Sequence, residues 1–287
     1  MRSRSRCTAF AVVLAATAVS AQAECLSDTQ AAALVANYLN KTPAANPEGL
    51  NDADAACTRA KVNKYLLQQV GGQVIGYKAG LTNPAVQKRF NASAPVYGVL
   101  YAPMLLRDGA TVDAAFGARP LFEADLLVRV RDSLVNRATT PEEVVRHIDQ
   151  VIPAIELPDL VVEAPGKLNG AAIAAINVGA RHFVMGEPIP VVPTTAVAEA
   201  LRTMIVVVTG PEGELDRGKG SDVLEHPLNA VIWLAKELRQ QGLALRNQPD
   251  VDVQTLAGAI ATGTHGTGAQ LPALHDDVVA MRLVRPD

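Results

Sequence analysis

Two acids stand two residues apart in the stretch Leu121-Phe122-Glu123-Ala124-Asp125-Leu126-Leu127-Val128-Arg129-Val130. The stretch is rich in strand-forming residues, and successive side chains of a strand point to opposite faces. Glu123 and Asp125 therefore share one face, while Phe122, Ala124, Leu126, Val128 and Val130 share the other, which reads as core. Two carboxylates so close repel each other and resist ionisation unless positive charge lies between them. A hard divalent cation supplies that charge, since carboxylate oxygens suit Mg²⁺, Mn²⁺ or Ca²⁺. Two solvated acids on an edge strand are the plainer reading.

Two further stretches carry candidate chemistry. Gly76-Tyr77-Lys78-Ala79-Gly80-Leu81-Thr82 brackets a lysine with glycines, which implies backbone held close to something. Pro153-Ala154-Ile155-Glu156-Leu157-Pro158-Asp159 adds two more acids. The five histidines, His147, His182, His226, His265 and His275, show no paired metal spacing, and no CxxC occurs. Ser93, Ser133 and Ser221 sit in no nucleophile elbow, so serine hydrolysis has no support.

The elements that must position these residues are readable in outline. Apolar residues at helical spacing predict helices over 28–41 and 52–69, the second ended by Gly71-Gly72. From residue 73 the period switches to that of strands. A strand over 74–82, a short helix opened by Asn83-Pro84, a strand over 96–100 and the acidic strand follow. Thr140-Pro141-Glu142-Glu143 reads as a helix start, with helix over 144–150 and strand over 151–160. Strands are expected at 182–185 and 195–208, then a hairpin around 210–213. A helix over 228–241 opens at His226-Pro227, with His226 read as a helix-start residue. Short strands are expected over the last forty residues. This order reads as α+β: a helical lobe over 24–72, then a mostly β domain over 73–287.

Composition narrows the class. Residues 1–23 combine Arg2, Arg4 and Arg6, an apolar run from Ala9 to Val19 and the small-x-small site Ala21-Gln22-Ala23, the pattern of a cleaved secretory signal peptide. Glu24 before Cys25 argues against a lipid anchor. The 23 residues hold three of the 26 basic residues and none of the 29 acidic ones, so the remainder carries 23 minus 29, a net −6. That charge argues against nucleic acid or an anionic membrane as partner, and no later apolar run could span a bilayer. An exported, periplasmic or secreted chain keeps Cys25 and Cys57, an even pair in an oxidising compartment, and a disulfide between them is expected.

Taken together in order, the lysine stretch, the acidic strand, the Glu156 stretch and the helix His226-Pro227-Leu228-Asn229-Ala230-Val231-Ile232-Trp233-Leu234 resemble the 2-keto-4-pentenoate hydratase branch of the fumarylacetoacetate hydrolase superfamily. The resemblance spans nearly all of residues 28–284. It implies a mixed β-sandwich roll, Mg²⁺ or Mn²⁺ held by Glu123, Asp125 and Glu156, Lys78 stabilising an enolate, Asp159 near the site, a small 2-oxo acid as substrate, and an oligomer. The implied reaction adds water to a 2-hydroxy-2,4-dienoate, as in aromatic catabolism. Departures are visible: Asp125 stands where the family has glutamate, Val96 where active hydratases have an acid, and Leu160-Val161 where serine-arginine follows Asp159. Asn177-Val178-Gly179-Ala180 lacks the family's serine. The alternatives are an exported, non-catalytic 2-oxo acid binder and an acylpyruvate-type hydrolase or 2-oxo acid decarboxylase. The hydrolase's histidine–glutamate lid is not evident, because every histidine follows the acidic strand.

Overall fold

The computed structural model describes residues 24–240. The expected leader and the short strands of the last forty residues, with His265 and His275, lie outside them. The described chain mixes helices with three separate sheets.

Helices α1 (Asp28–Asn40) and α2 (Asp52–Val70) each start with a capping box, from Ser27 to Gln30 and from Asn51 to Asp54. The reciprocal bonds satisfy backbone donors that a helix start otherwise leaves orphaned. Both helices form where sequence periodicity puts them. Their apolar residues Leu34, Val35, Val62 and Leu66 join the same core as Tyr101, Val161, Ile176 and Phe183, so they enclose no core of their own. Cys25 and Cys57 lie at disulfide distance, with Cα atoms 5.7 Å apart, and the Leu26 N–H donates to Thr58 Oγ1 beside them.

β1 (Val74–Gly80) and β2 (Val96–Tyr101) pair antiparallel, joined by the short α3 (Pro84–Arg89). The larger sheet contains β3 (Leu105–Leu106), β4 (Glu123–Val130), β5 (Ile148–Leu157), β6 (His182–Met185) and β7 (Ile189–Pro190). Its order is β3-β6-β5-β4, with β7 paired to β5 beyond β6, and β4 forms an edge. Between them come α4 (Pro141–Val145) and the wholly buried α5 (Gly170–Ala175). Then follow α6 (Thr195–Thr203), the hairpin β8 (Ile205–Gly210) and β9 (Gly213–Lys219), and α7 (Pro227–Gln240).

Three expectations fail. The helix expected over 144–150 ends at Val145, and β5 takes over from Ile148. The strand expected from residue 195 is α6: Thr194 caps it through the Val197 N–H, and Ala198 and Leu201 are buried three residues apart. A short apolar run does not separate strand from helix until a cap and a burial face are known. The back of β4 is core only in part. Leu126 and Val128 pack against Val144, Val151 and Leu228, but Phe122 is 61 % exposed and Ile155, across from Ala124, 52 %.

His226 opens α7 as expected. Its Nδ1 accepts the Leu228 N–H at 3.0 Å, and Nε2 stands 2.9 Å from the Ala198 carbonyl. Burial holds its pKa below the ordinary histidine value, against the pull of Ala198, Glu142 and Glu199. A depressed folded pKa means that stability is intact above the unfolded value, about 6.5, and falls as pH drops through the folded one. His226→Asn, which caps without titrating, is expected to lose less stability than the native chain between about pH 7 and 5. Urea midpoints at both pH values check this; parallel losses would refute it.

Candidate active site

Antiparallel register builds the acidic face. Glu123 lies directly across from Glu156, and Asp125 across from Ala154, one step along the same face. Directly opposed residues of an antiparallel pair project to the same side, so the three acids 123, 125 and 156 share one surface, along with Phe183 opposite Glu156. Glu156 is 2 % exposed; Glu123 lies toward solvent.

The facing cation comes from the other sheet. Lys78 on β1 is 8 % exposed, and its Nζ donates to Glu156 Oε1 and, at 3.1 Å, to the Val178 carbonyl. Phe183 closes the pocket behind the ammonium, its ring centroid 5.9 Å from Nζ. Glycine opposite Lys78 is required by close approach: a Cβ on Gly98 would lie 2.5 Å from the Asn177 carbonyl oxygen.

The electrostatics record too much negative charge for one ammonium. Burial pushes Glu156 up to about 7; Lys78 opposes this, while Asp125 and Glu123 reinforce it. Burial likewise raises the Asp125 carboxyl, although it accepts the Leu126 N–H at 2.7 Å and a hydrogen bond from Glu156. Hard oxygen donors on one face with unbalanced charge suit a divalent cation in kind. As the side chains stand, no three His, Cys, Asp or Glu groups among the described residues close into a metal cage, and Glu156 pairs with Lys78.

Asp159 sits elsewhere and does something different. Fully buried, it accepts from the Ala118, Arg119 and Val161 N–H groups at 3.1, 2.7 and 3.1 Å and pairs with Arg181 at 3.1 Å. Its oxygens are committed to holding chain, so it supports the site's frame. Val96, beside Gly80 in the ladder, is half-buried against the main core, leaving that position apolar. Sequence reading missed the Asn177 side chain and the Val178 carbonyl; the one available signal was the Asn-Val-Gly run, since asparagine tolerates left-handed backbone.

No family model matches the chain. Curated relatives do. It is 30% identical over 219 residues, 76% of this chain and 81% of the relative, to a 2-keto-4-pentenoate hydratase of Burkholderia vietnamiensis. The chain belongs to the 2-keto-4-pentenoate hydratase branch of the fumarylacetoacetate hydrolase superfamily. A TodF product hydratase of Pseudomonas putida is 27% identical over 241 residues, 84% of both chains. Among solved structures, 4-oxalocrotonate decarboxylase from Pseudomonas putida G7, complexed with magnesium and adipate, matches with TM-score 0.64 and 27% identity. That match covers 76% of this chain and 83% of that one. The same enzyme has been seen complexed with calcium and acetate. Membership matches the resemblance carried by the four motifs.

Replacing Lys78 with methionine strands a buried carboxylate, a break that typically costs about 3–5 kcal/mol. Glu156 escapes part of that cost by protonating, because its pKa is already raised to about 7. A raised carboxyl pKa means that stability is present at low pH and is lost as pH rises through the folded value. Lys78→Met is therefore expected to be destabilised more at pH 9 than at pH 6; an equal loss of urea midpoint at both would show that Glu156 does not change charge between them, against this reading.

Proposed function

We propose that this enzyme is a metal-dependent carbon–oxygen lyase that adds water to a 2-hydroxy-2,4-dienoate of the 2-keto-4-pentenoate type, giving a 4-hydroxy-2-oxo acid. The observation that carries the reading is the buried Lys78 ammonium set against Glu156 on a sheet face with two further acids, in a chain related to a hydratase over 76% of its length. Glu123, Asp125 and Glu156 are the residues that would hold the cation, Mg²⁺ or Mn²⁺. When bound, it supplies Lewis-acid polarisation of the substrate's 2-oxygen. The fold around them is the mixed β-roll of the superfamily.

The chain's own part follows from charge. The dienoate tautomerises when the proton on its 2-hydroxyl leaves and one arrives at C5, and negative charge collects on the 2-oxygen on the way. A preorganised ammonium stabilises charge that develops in the transition state more than charge already present in the ground state. Lys78, fixed between Glu156 and the Val178 carbonyl, is placed for that work. Water then adds across C3–C4, its hydroxyl to C4 and its proton to C3, and the 2-oxygen again carries the charge. Phe183 walls the ammonium off from solvent on one side, which strengthens its field. Asp159, by tying residues 118, 119 and 161 to Arg181, keeps the strand end that bears Glu156 in place.

We also place the mature enzyme outside the cytoplasm, beginning near Glu24, with Cys25 and Cys57 oxidised. The leader pattern and the proximity of the two sulfurs support this. Mass spectrometry of exported protein is expected to return a chain starting at Glu24 with no alkylatable thiol; an intact Met1 chain would contradict it.

Incubated with 2-hydroxypenta-2,4-dienoate and Mg²⁺, the enzyme is expected to form 4-hydroxy-2-oxopentanoate, seen by proton NMR, and to stop on chelation. Lys78→Ala and Glu156→Gln should each lower kcat/KM by roughly 100-fold or more, the usual cost of losing a preorganised electrostatic group. Binding of oxalate without turnover would leave a 2-oxo acid binder. Carbon dioxide released from 4-oxalocrotonate would instead favour the decarboxylase chemistry of the matching structure.

A further inference from the structure

Three consecutive residues, Asn177, Val178 and Gly179, hold left-handed backbone, with φ of 56°, 55° and 64°. Such a conformation is a genuine outlier for a β-branched valine and persists only where surroundings enforce it. The enforcement is visible in the Asn177 side chain. Its Oδ1 accepts the Val99 N–H at 2.7 Å and its Nδ2 donates to the Val99 carbonyl at 3.0 Å, the two bonds a neighbouring strand would make to β2. From α2, Asn63 Nδ2 donates to the same Oδ1 at 3.1 Å, and the Asn63 Oδ1 accepts the Tyr101 hydroxyl at 2.8 Å. The turn held in this way aims the Val178 carbonyl at Lys78 Nζ, 3.1 Å away.

We propose that Asn177, braced by Asn63, is a positioning residue for Lys78. The proposal rests on the catalytic reading of Lys78 given above. A lysine bonded to Glu156 alone could swing about that one contact on its flexible stem. The Val178 carbonyl is the second acceptor that fixes its direction, and that carbonyl points inward only while the turn stays left-handed. Asn177 thus acts on chemistry through backbone geometry, without touching substrate. Val178 accepts a strained φ because a relaxed turn would send its carbonyl elsewhere.

Asn177→Gly separates the clamp from the conformation: glycine tolerates positive φ but makes neither bond to Val99. Its kcat is expected to fall roughly 100-fold with KM near the native value, as when a reacting group is displaced by about an ångström. The ¹⁵N resonance of Lys78 Nζ, assigned by its loss in Lys78→Met, should shift or broaden in the same variant. Native kcat, an equal change confined to KM, or an unmoved Lys78 resonance in folded Asn177→Gly overturns the proposal. If that variant does not fold, Asn63→Ala, which removes the donor to Asn177 and the acceptor of the Tyr101 hydroxyl, is read by the same two measurements and should move both in the same direction but less. If the native enzyme fails to turn over the dienoate, the functional reading falls, and the Lys78 resonance alone decides whether Asn177 positions it.

Discussion

A buried carboxylate with one ammonium facing it is the constraint from which the rest of the site follows. At about 4 Å, opposite unit charges near a protein surface attract by roughly 4 kcal/mol, and like charges repel as strongly. Lys78 favours the charged form of Glu156 and Asp125 opposes it, with burial the largest influence. A protein selected for stability alone gains little from such a pair, which apolar residues of similar size could replace. Its retention at the meeting of two sheets is better explained by what an unbalanced acidic face can hold.

That face requires the small sheet to sit against the large one. β1 brings Lys78, β2 brings Gly98, and the Asn177 turn closes the gap between them, so three segments distant in sequence meet at one ammonium. A second buried polar knot secures the frame. Asp159 binds three backbone N–H groups and Arg181, whose guanidinium lies 4.2 Å from the Tyr38 ring centre and donates to the Tyr38 carbonyl at 2.8 Å. Through that knot α1 is tied to the end of the site strand. Buried polar groups are costly when unpaired and specifying when paired, and both knots place the cost where position matters.

Much of this was legible in the chain. The alternation at Glu123 and Asp125 predicted a shared face because strand periodicity is local, and the cross-strand partner Glu156 then fell onto it by register. Helices α1, α2 and α7 declared themselves through long periodic patterns. What stayed hidden depends on tertiary contact. The exposed Phe122 shows that an apolar strand face is core only where something lies over it. Residues 195–203 read as strand because β-branched residues crowd around them, yet Thr194 and the burial of Ala198 and Leu201 make a helix. Asp159 looked like an acid for chemistry; only the positions of residues 118, 119 and 161 reveal its structural duty. The Asn177 run was visible but its role was not, since the partners of its side chain lie 78 and 114 positions away.

Register is the last element that must hold, and the chain fixes it at the site end of β5. Slipping β4 by one residue against β5 would turn every side chain of one strand to the other face. Glu123 and Asp125 would then turn to the back of the sheet, and Phe122 and Ala124 would come onto the face that bears Glu156. Hydrophobic burial guards against this weakly, because Phe122, Ala124 and Ile155 are all exposed on the back of the sheet. Polar contacts guard against it instead: the Leu121 N–H donates to the Pro158 carbonyl at 2.9 Å, the Pro120–Asp159 bridge extends the ladder, and the Asp159 carboxylate grips Ala118 and Arg119. The acid at residue 159 is therefore needed by the acids at residues 123 and 125. It holds the strands in step so that they share the face of Glu156.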